Sequence, residues 1–291
     1  MGRVTRRVRA SRHDSSAALT RLDRIETLAV EEPLQIRVEH GPTEARVRDN
    51  VAVTMRTPGD DFDLALGHLV TEGLLTDPSA VAGMMHCTDV DRDGQPTFNV
   101  VDVTLRAGES LAQRPRHRPE IVTSACGVCG KDEIAAITAA NPHPVAHDPL
   151  TVPAALVAEL PDLVREQQKG FARTGGMHAA AIATAEGEIL AVREDVGRHN
   201  AADKVIGWAA REGRLPLYGH ILVVSARASF ELVQKAAMAG LPMLVAVSAP
   251  TSLAVELAAE QGLTLVAFTR SPRCTVYTHA HRVQPTDAAD H

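Results

Sequence analysis

The spacing of apolar residues changes along this chain and divides it into two regions. In the first, residues 34–39 (LQIRVE) and 51–56 (VAVTMR) alternate apolar with polar, the pattern of strands with one buried face. Leu64, Leu66, Leu69, Val70 and Leu74 then recur at helical spacing behind Asp60 and Asp61, which predicts a helix with an acidic first turn. Residues 97–105 (TFNVVDVTL) predict another strand, followed by the loop-like stretch RPRHRPE at 114–120. From about 151 the rhythm differs. Leu156, Leu160, Leu163 and Val164 mark one helix face, and 177–184 and 188–193 read as two strands around the turn Ala185-Glu186-Gly187. A helix from His199 to Ala210 should bury Ala202, Val205, Ile206 and Ala209. Strand 220–225, helix 229–239, strand 242–247, helix 251–261 and strand 263–268 complete the series. Strands alternating with helices predict an α/β sheet, and their unbroken apolar runs predict cover on both faces. The boundary between the regions is expected between 110 and 170.

Composition narrows the class. The chain is 45% hydrophobic and 23% charged, ordinary for a soluble globular protein. Aromatics are only 3%, too few for a base-stacking RNA-binding sheet, and a net charge of −6 argues against a protein that coats nucleic acid. Arg3, Arg6, Arg7, Arg9, Arg12, Arg21 and Arg24 crowd the start with few apolar residues among them. That start lacks the apolar stretch of a secretory signal and reads as a disordered basic arm over 1–24. No run approaches the roughly 20 apolar residues of a membrane span. The four cysteines, Cys87, Cys126, Cys129 and Cys274, are then expected in a reducing, cytoplasmic setting without a disulfide framework.

The densest chemistry lies in Ser124-Ala125-Cys126-Gly127-Val128-Cys129-Gly130-Lys131. Asp132 and Glu133 begin a possible short helix with Ile134, Ala135 and Ile137. A helix N-terminus and Lys131 both favour thiolate over thiol, and the glycines leave the sulfur room to meet several partners. A zinc template, Cys126-x2-Cys129-x13-His143-x3-His147, fits by spacing, but Pro142 and Pro144 bracket His143 and break the helix that such a site uses. A thioredoxin-like dithiol requires a firmer preceding strand than Glu120 to Thr123 provides. Arg193-Glu194-Asp195-Val196-Gly197-Arg198-His199 sits at a strand-to-helix junction. It reads as an anion site at the helix N-terminus reinforced by Arg198, or as a solvated helix start. Thr174-Gly175-Gly176-Met177-His178, Ser225-Ala226-Arg227-Ala228-Ser229 and Phe268-Thr269-Arg270-Ser271-Pro272-Arg273 lie at other strand ends. Arginines gathered at strand ends of an acidic α/β protein predict a phosphorylated small ligand. Motifs for P-loop, dinucleotide-fold, zincin and serine-hydrolase chemistry are absent.

Together SACGVCGK (124–131), TGGMHAAA (174–181), REDVGRHNAADKVIG (193–207), SARASFELVQKAAMAG (225–240) and AVSAPTSLAVELA (246–258) resemble the formate dehydrogenase accessory sulfurtransferase family (FdhD-type). The resemblance implies an α/β fold with a cytidine-deaminase-like mixed sheet, helices on both faces, and a smaller N-terminal α+β portion. The expected division of the chain is the basic arm over 1–24, an N-terminal subdomain over 25–120, a CxxC segment over 121–150 and a deaminase-like domain over 151–291. It implies a sulfur carrier that takes persulfide sulfur from a cysteine desulfurase onto Cys126, assisted by Cys129. The sulfur then passes to the molybdenum (or tungsten) bis-guanine-dinucleotide cofactor, bound as substrate, for formate dehydrogenase. Met177, His178, Arg198, His199, Arg227, Phe268, Thr269, Arg270, Ser271, Pro272 and Arg273 are the expected contacts for that cofactor, with GDP as an analogue. No permanent metal is expected, since the second helix start lacks the cysteines of a deaminase. A homodimer is expected, with no nucleic-acid or membrane partner. The competing expectation is a zinc-binding deaminase-like hydrolase, or a zinc-stabilised module using Cys126, Cys129, His143 and His147.

Overall fold

The computed structural model describes residues 3–14, 20–87, 97–112 and 141–285. The main sheet has six strands. Hairpin β8 (His178–Ala183) and β9 (Ile189–Asp195) opens it, followed by β10 (Ile221–Val224), β11 (Met243–Ala246), β12 (Thr264–Arg270) and β13 (Arg273–Val276). Their spatial order is β13-β12-β11-β10-β8-β9. β10, β11 and β12 run parallel, while β8 and β13 are antiparallel to their neighbours. The connections of the parallel strands are helices, as the unbroken apolar runs predict. α4 (Arg198–Arg211) follows β9, α5 (Phe230–Met238) follows β10 and α6 (Ser252–Glu260) follows β11.

Side-chain alternation on this sheet creates two cores. Ile182, Leu222, Val224, Leu244 and Leu265 face one way, against Val205 and Ile206 of α4, Leu232 and Val233 of α5, and Leu257 of α6. Ala181, Val223, Val245 and Val266 face the other way, against Val157, Leu160 and Val164 of α2 (Ala154–Gln167). Each such side chain contributes about 1.5–3 kcal/mol when fully buried, so both faces are committed to cover. α2 ends at Gln168, which also caps the short α3 (Lys169–Thr174). This second helix was not legible as a periodic stripe. Two-residue strands β7 (Val152–Pro153) and β14 (Val283–Gln284) pair on the α2 side.

A smaller sheet of order β4-β3-β6-β5 comprises β3 (Glu32–His40), β4 (Val47–Arg56), β5 (Val81–His86) and β6 (Val100–Leu105). Leu34, Ile36, Val38, Val101 and Val103 form its inner face and bury Leu64, Leu66 and Leu69 of α1 (Asp61–Thr71). The acidic first turn of α1 does more than complement a helix dipole. Asp61 is paired with the buried Arg56, and Asp63 with Arg193 and Arg211.

The core of the smaller sheet joins the α4-side core of the main sheet where α1 crosses α4 with backbone against backbone. A Cβ on Gly67 would lie 1.8 Å from the Asp203 carbonyl oxygen, and one on Gly207 would lie 1.8 Å from that of Asp63. Only glycine permits this approach.

One expectation is overturned at the start of the chain. Instead of a disordered arm, β1 (Thr5–Asp14) and β2 (Thr20–Ala29) pair antiparallel in an unbroken register from Thr5↔Ala29 to Asp14↔Thr20. Arg6, Val8 and Ala10 sit opposite Leu28, Glu26 and Arg24, and Ser11 donates to the Asp23 carboxylate across the ribbon. Alternation was present but hidden by arginine, whose charged head stays in water while its stem lies on the sheet.

Candidate functional site

A cleft of about 880 Å³ opens at the C-terminal ends of the parallel strands. Ligands of open α/β sheets sit at this position, because strand ends and helix starts there present unpaired backbone groups. Ser225 after β10, Val247 and Ser248 after β11, and Phe268, Thr269 and Arg270 of β12 form one wall. Met177 and His178, entering β8, form the floor. Asp162 and Arg165 of α2, Gln168 at the junction, and Phe171 of α3 form the opposite wall.

β12 presents its end in an unusual way. A register shift between Ala267 and Arg270 bulges the strand, and Phe268 takes a left-handed backbone at φ 49°. Such a conformation is uncommon for a bulky residue and persists only where the surroundings enforce it. Here the Phe268 N–H donates to Ser248 O at 3.2 Å, and the ring is left 53% exposed at the cleft. Thr269 is 1% exposed, and its hydroxyl has no hydrogen-bond partner. The segment 268–273, expected to lie beyond the end of the last strand, is therefore mostly strand. β12 continues to Arg270, and β13 starts at Arg273 as a further strand of the sheet.

Arg198 and His199 begin α4 beside this cleft's floor. Burial, then the positive charge of Arg198, lowers the pKa of His178, against an opposing pull from Asp195. His199 is more strongly affected. Burial first, then Lys235 and Arg198, push it down to about 4, so its imidazole is neutral at pH 7. Its Nε2 lies 3.4 Å from Ser229 Oγ and 3.8 Å from Glu231. Glu231 is held below the usual range although burial acts upward, because its own backbone N–H and Ser229 hydrogen-bond it. Arg198 Nε is buried without a partner.

The remainder of the 193–204 motif does something the sequence did not show. Arg193 donates to Asp63, and Glu194 accepts from the N–H groups of Gly170 and Phe171 at 2.7 Å each. Asp195, 0% exposed, accepts from the N–H groups of Thr57 and Gly197 and pairs with Lys204 at 2.8 Å. Lys204 also donates to Thr57 O, and Asp203 pairs with Lys235 at 2.8 Å. Anion binding and a solvated helix start both fail for these side chains. Arg193, Asp195 and Lys204 staple the smaller sheet's side to the larger one, Glu194 anchors α3, and the buried charges Asp195, Asp203, Lys204 and Lys235 each have a partner, the condition under which burial is tolerated.

The structure thus brings Met177, His178, Phe268, Thr269 and Arg270 to one cleft. Arg198 and His199 lie behind its floor, while Arg227 and Ser271, Pro272 and Arg273 are exposed beyond the lining. Cys126 and Cys129 lie outside the described residues. His143 packs edge-on against Tyr218, with ring centroids 6.3 Å apart, and His147 is exposed. Asp162, Arg165, Gln168 and Phe171 were missed by sequence reasoning. They sit off the buried Val157–Leu160–Val164 stripe, and only the placement of α2 over the sheet reveals them.

The model of the FdhD/NarQ family matches residues 29–284, nearly the whole of the described fold. The chain belongs to that family. It is 49% identical over 284 residues to the sulfur carrier protein FdhD of Streptomyces coelicolor, covering 97% of each chain. It is 49% identical over 265 residues to the protein of the same name from Mycobacterium tuberculosis, covering 90% of this chain and 93% of the other. In fold it is similar to the crystal structure of a formate dehydrogenase accessory protein candidate from Desulfotalea psychrophila, with a TM-score of 0.70 at 20% identity, covering 97% of this chain and 100% of the other. The family match begins as β2 ends. Among the described residues, no helix is long and apolar enough to cross a membrane.

Proposed function

We propose that this chain is a cytoplasmic sulfur carrier serving formate dehydrogenase. The observation that carries the reading is 49% identity across 97% of the chain to a protein named as a sulfur carrier, within a family match that includes Cys126 and Cys129. In the first step a Cys126 thiolate attacks the outer sulfur of a cysteine desulfurase persulfide. The donor S–S bond breaks, an S–S bond forms on Cys126, and the donor cysteine leaves as thiolate. Cys129 assists.

The recipient in this reading is the molybdenum or tungsten bis-guanine-dinucleotide cofactor, held as substrate. The 880 Å³ cleft supports it, with Arg270 at the rim for phosphate, Phe268 exposed for a ring face and Met177 and His178 beneath. A hairpin, then strand–helix repeats in the order β9-β8-β10-β11-β12, supports kinship with the deaminase scaffold. The helix start at Ser225–Ser229, without cysteine, supports a scaffold whose metal chemistry is lost. A homodimer belongs to the same reading.

Intact mass after incubation with a cysteine desulfurase and cysteine tests it. The wild type should gain about 32 Da, and Cys126→Ala should not, because a persulfide needs a thiolate acceptor. An adduct kept by Cys126→Ala and lost by Cys129→Ala reverses the order of the two sulfurs. No adduct on the wild type ends the reading.

A further inference from the structure

We propose that the β1–β2 ribbon is a clasp for a second copy of this chain, its Arg7–Arg9 face seated on the acidic side of α2 in the other copy. The proposal deepens the homodimer of the preceding reading and rests on it.

Three observations carry it. The first is charge. Residues 1–29 hold seven arginines against Asp14, Asp23 and Glu26, a net +4, whereas the whole chain has 30 basic and 36 acidic residues, which leaves −10 for the rest. Within the ribbon Arg24 pairs with Glu26, and Asp23 accepts from Ser11. Arg3, Arg6, Arg7, Arg9 and Arg12 are exposed and make no ion pair with any described residue. The second is the bareness of the ribbon. Ile25 stands opposite Arg9 and is 65% exposed, so the Arg7–Arg9 face has an apolar centre beside its cations. β2 touches the body at α3, where Ala29 lies against Gly176 at the rim of the cleft. The third is the seat. α2 exposes Glu159, Asp162 and Glu166 at i, i+3 and i+7, a spacing that sets them along one side of the helix. None of the three pairs with a described cation, and Arg165 beside them is turned over the Phe171 ring at 3.8 Å.

The dimensions agree. Arg7 and Arg9 are about 7 Å apart along their strand, and Asp162 and Glu166 about 6 Å apart along their helix. Ribbon and stripe do not pair within one chain, so the complement of each is found on another copy. One two-fold axis satisfies both at once, because each copy offers a ribbon and a stripe. Asp162 also lines the cleft, so the partner's ribbon borders its mouth. The contact is made by side chains of one ribbon face and leaves both strand edges open to water. A nucleic acid suits this surface less well. It would meet the −10 of the body, and the ribbon has no Phe, Tyr or Trp on which a base could stack.

Sedimentation equilibrium on the full chain tests this with two double variants at exposed positions, Arg7→Glu with Arg9→Glu and Glu159→Lys with Glu166→Lys. Each alone sets like charge against like and should weaken the dimer by about tenfold or more at low salt. An equal mixture of the two variants restores opposite charges at both contacts of a mixed dimer, and should associate as tightly as wild type within about threefold. Wild-type association should also weaken as salt rises. Two variants that dimerise like wild type overturn the proposal and leave the homodimer standing. Variants that both weaken without rescue in the mixture overturn the pairing of ribbon with stripe. A duplex oligonucleotide bound through Arg7 and Arg9 while the dimer ignores them assigns the ribbon to nucleic acid and overturns the proposal as well. A wild type that stays monomeric at micromolar concentration overturns the homodimer and the clasp together.

Discussion

His199 shows how much a single side chain's surroundings change its chemistry. In an unfolded chain its imidazole takes a proton near pH 6.5, and in the fold only near 4. As pH falls the unfolded state is therefore protonated first, and the folded state loses stability from about pH 6.5 down to about pH 4, with no further loss from this group below that. Asp203 is held below the ordinary carboxylate range by Lys235 although burial acts upward, and Glu231 is lowered as well. Their contributions are present above that range and fade only at more acidic pH. His199→Gln should thus flatten the stability curve between pH 6.5 and 4.5 by on the order of 1–2 kcal/mol, measured as urea midpoints at several pH values. An unaltered slope would mean that the imidazole takes up its proton alike in the folded and the unfolded chain. At this scale the sequence was legible in kind but not in role. The charges of 193–204 stood out at once, but Arg193, Glu194, Asp195 and Lys204 point into the molecule. Which side of a strand–helix junction meets another sheet is not written in the spacing of its own residues.

Elements were more readable where burial is strong. Every strand and helix of the main sheet from β8 to β12 was expected within three residues of its observed ends, because each carries an apolar run long enough to need cover. Elements with little burial escaped: β1, β2, β5, β13 and α3. The ribbon is the extreme case. Leu22, Ile25 and Leu28 of β2 are exposed, with Ile25 on the opposite face from the other two, so neither face has a core. Only the end of β2 meets α3, and a two-stranded ribbon with so little cover is marginal in water. Amide exchange should expose this. The N–H groups of β1 and β2 should exchange at least about a hundredfold faster than those of β10 and β11, which open only when the whole fold does. Comparable protection would show that something covers the ribbon in solution. Phe268 belongs here too, since nothing in its neighbours' types announces a left-handed residue inside a strand.

For the molecule as a whole, the crossing of α1 over α4 decides whether there are one or two folding units. The two cores share the Gly67–Gly207 contact, and the buried pairs of Asp63 and Asp195 cross the same boundary. Gly207→Ala places a methyl inside a carbonyl's van der Waals shell, so the helices must separate. A loss of about 3 kcal/mol is expected, in one shared transition for both cores, followed by denaturant unfolding with Trp208 fluorescence beside far-ultraviolet dichroism. If dichroism unchanged from wild type accompanied an early fluorescence shift, the cores would be separable. The boundary between regions was visible in the sequence as a change of rhythm, but the lock between them was not, because a glycine pair 140 residues apart carries no local pattern. That separation also has a meaning in time. At a synthesis rate of about 5–20 residues per second, Gly67 leaves the ribosome roughly 7–28 s before Gly207. From the emergence of β6 until residue 193 follows, the smaller sheet has its strands and α1 but no α4, and Asp63 has neither of its arginines. A nascent chain paused between β6 and α4 therefore presents chaperones and proteases with a sheet closed on one side and open on the other, and only the arrival of α4 ends that exposure.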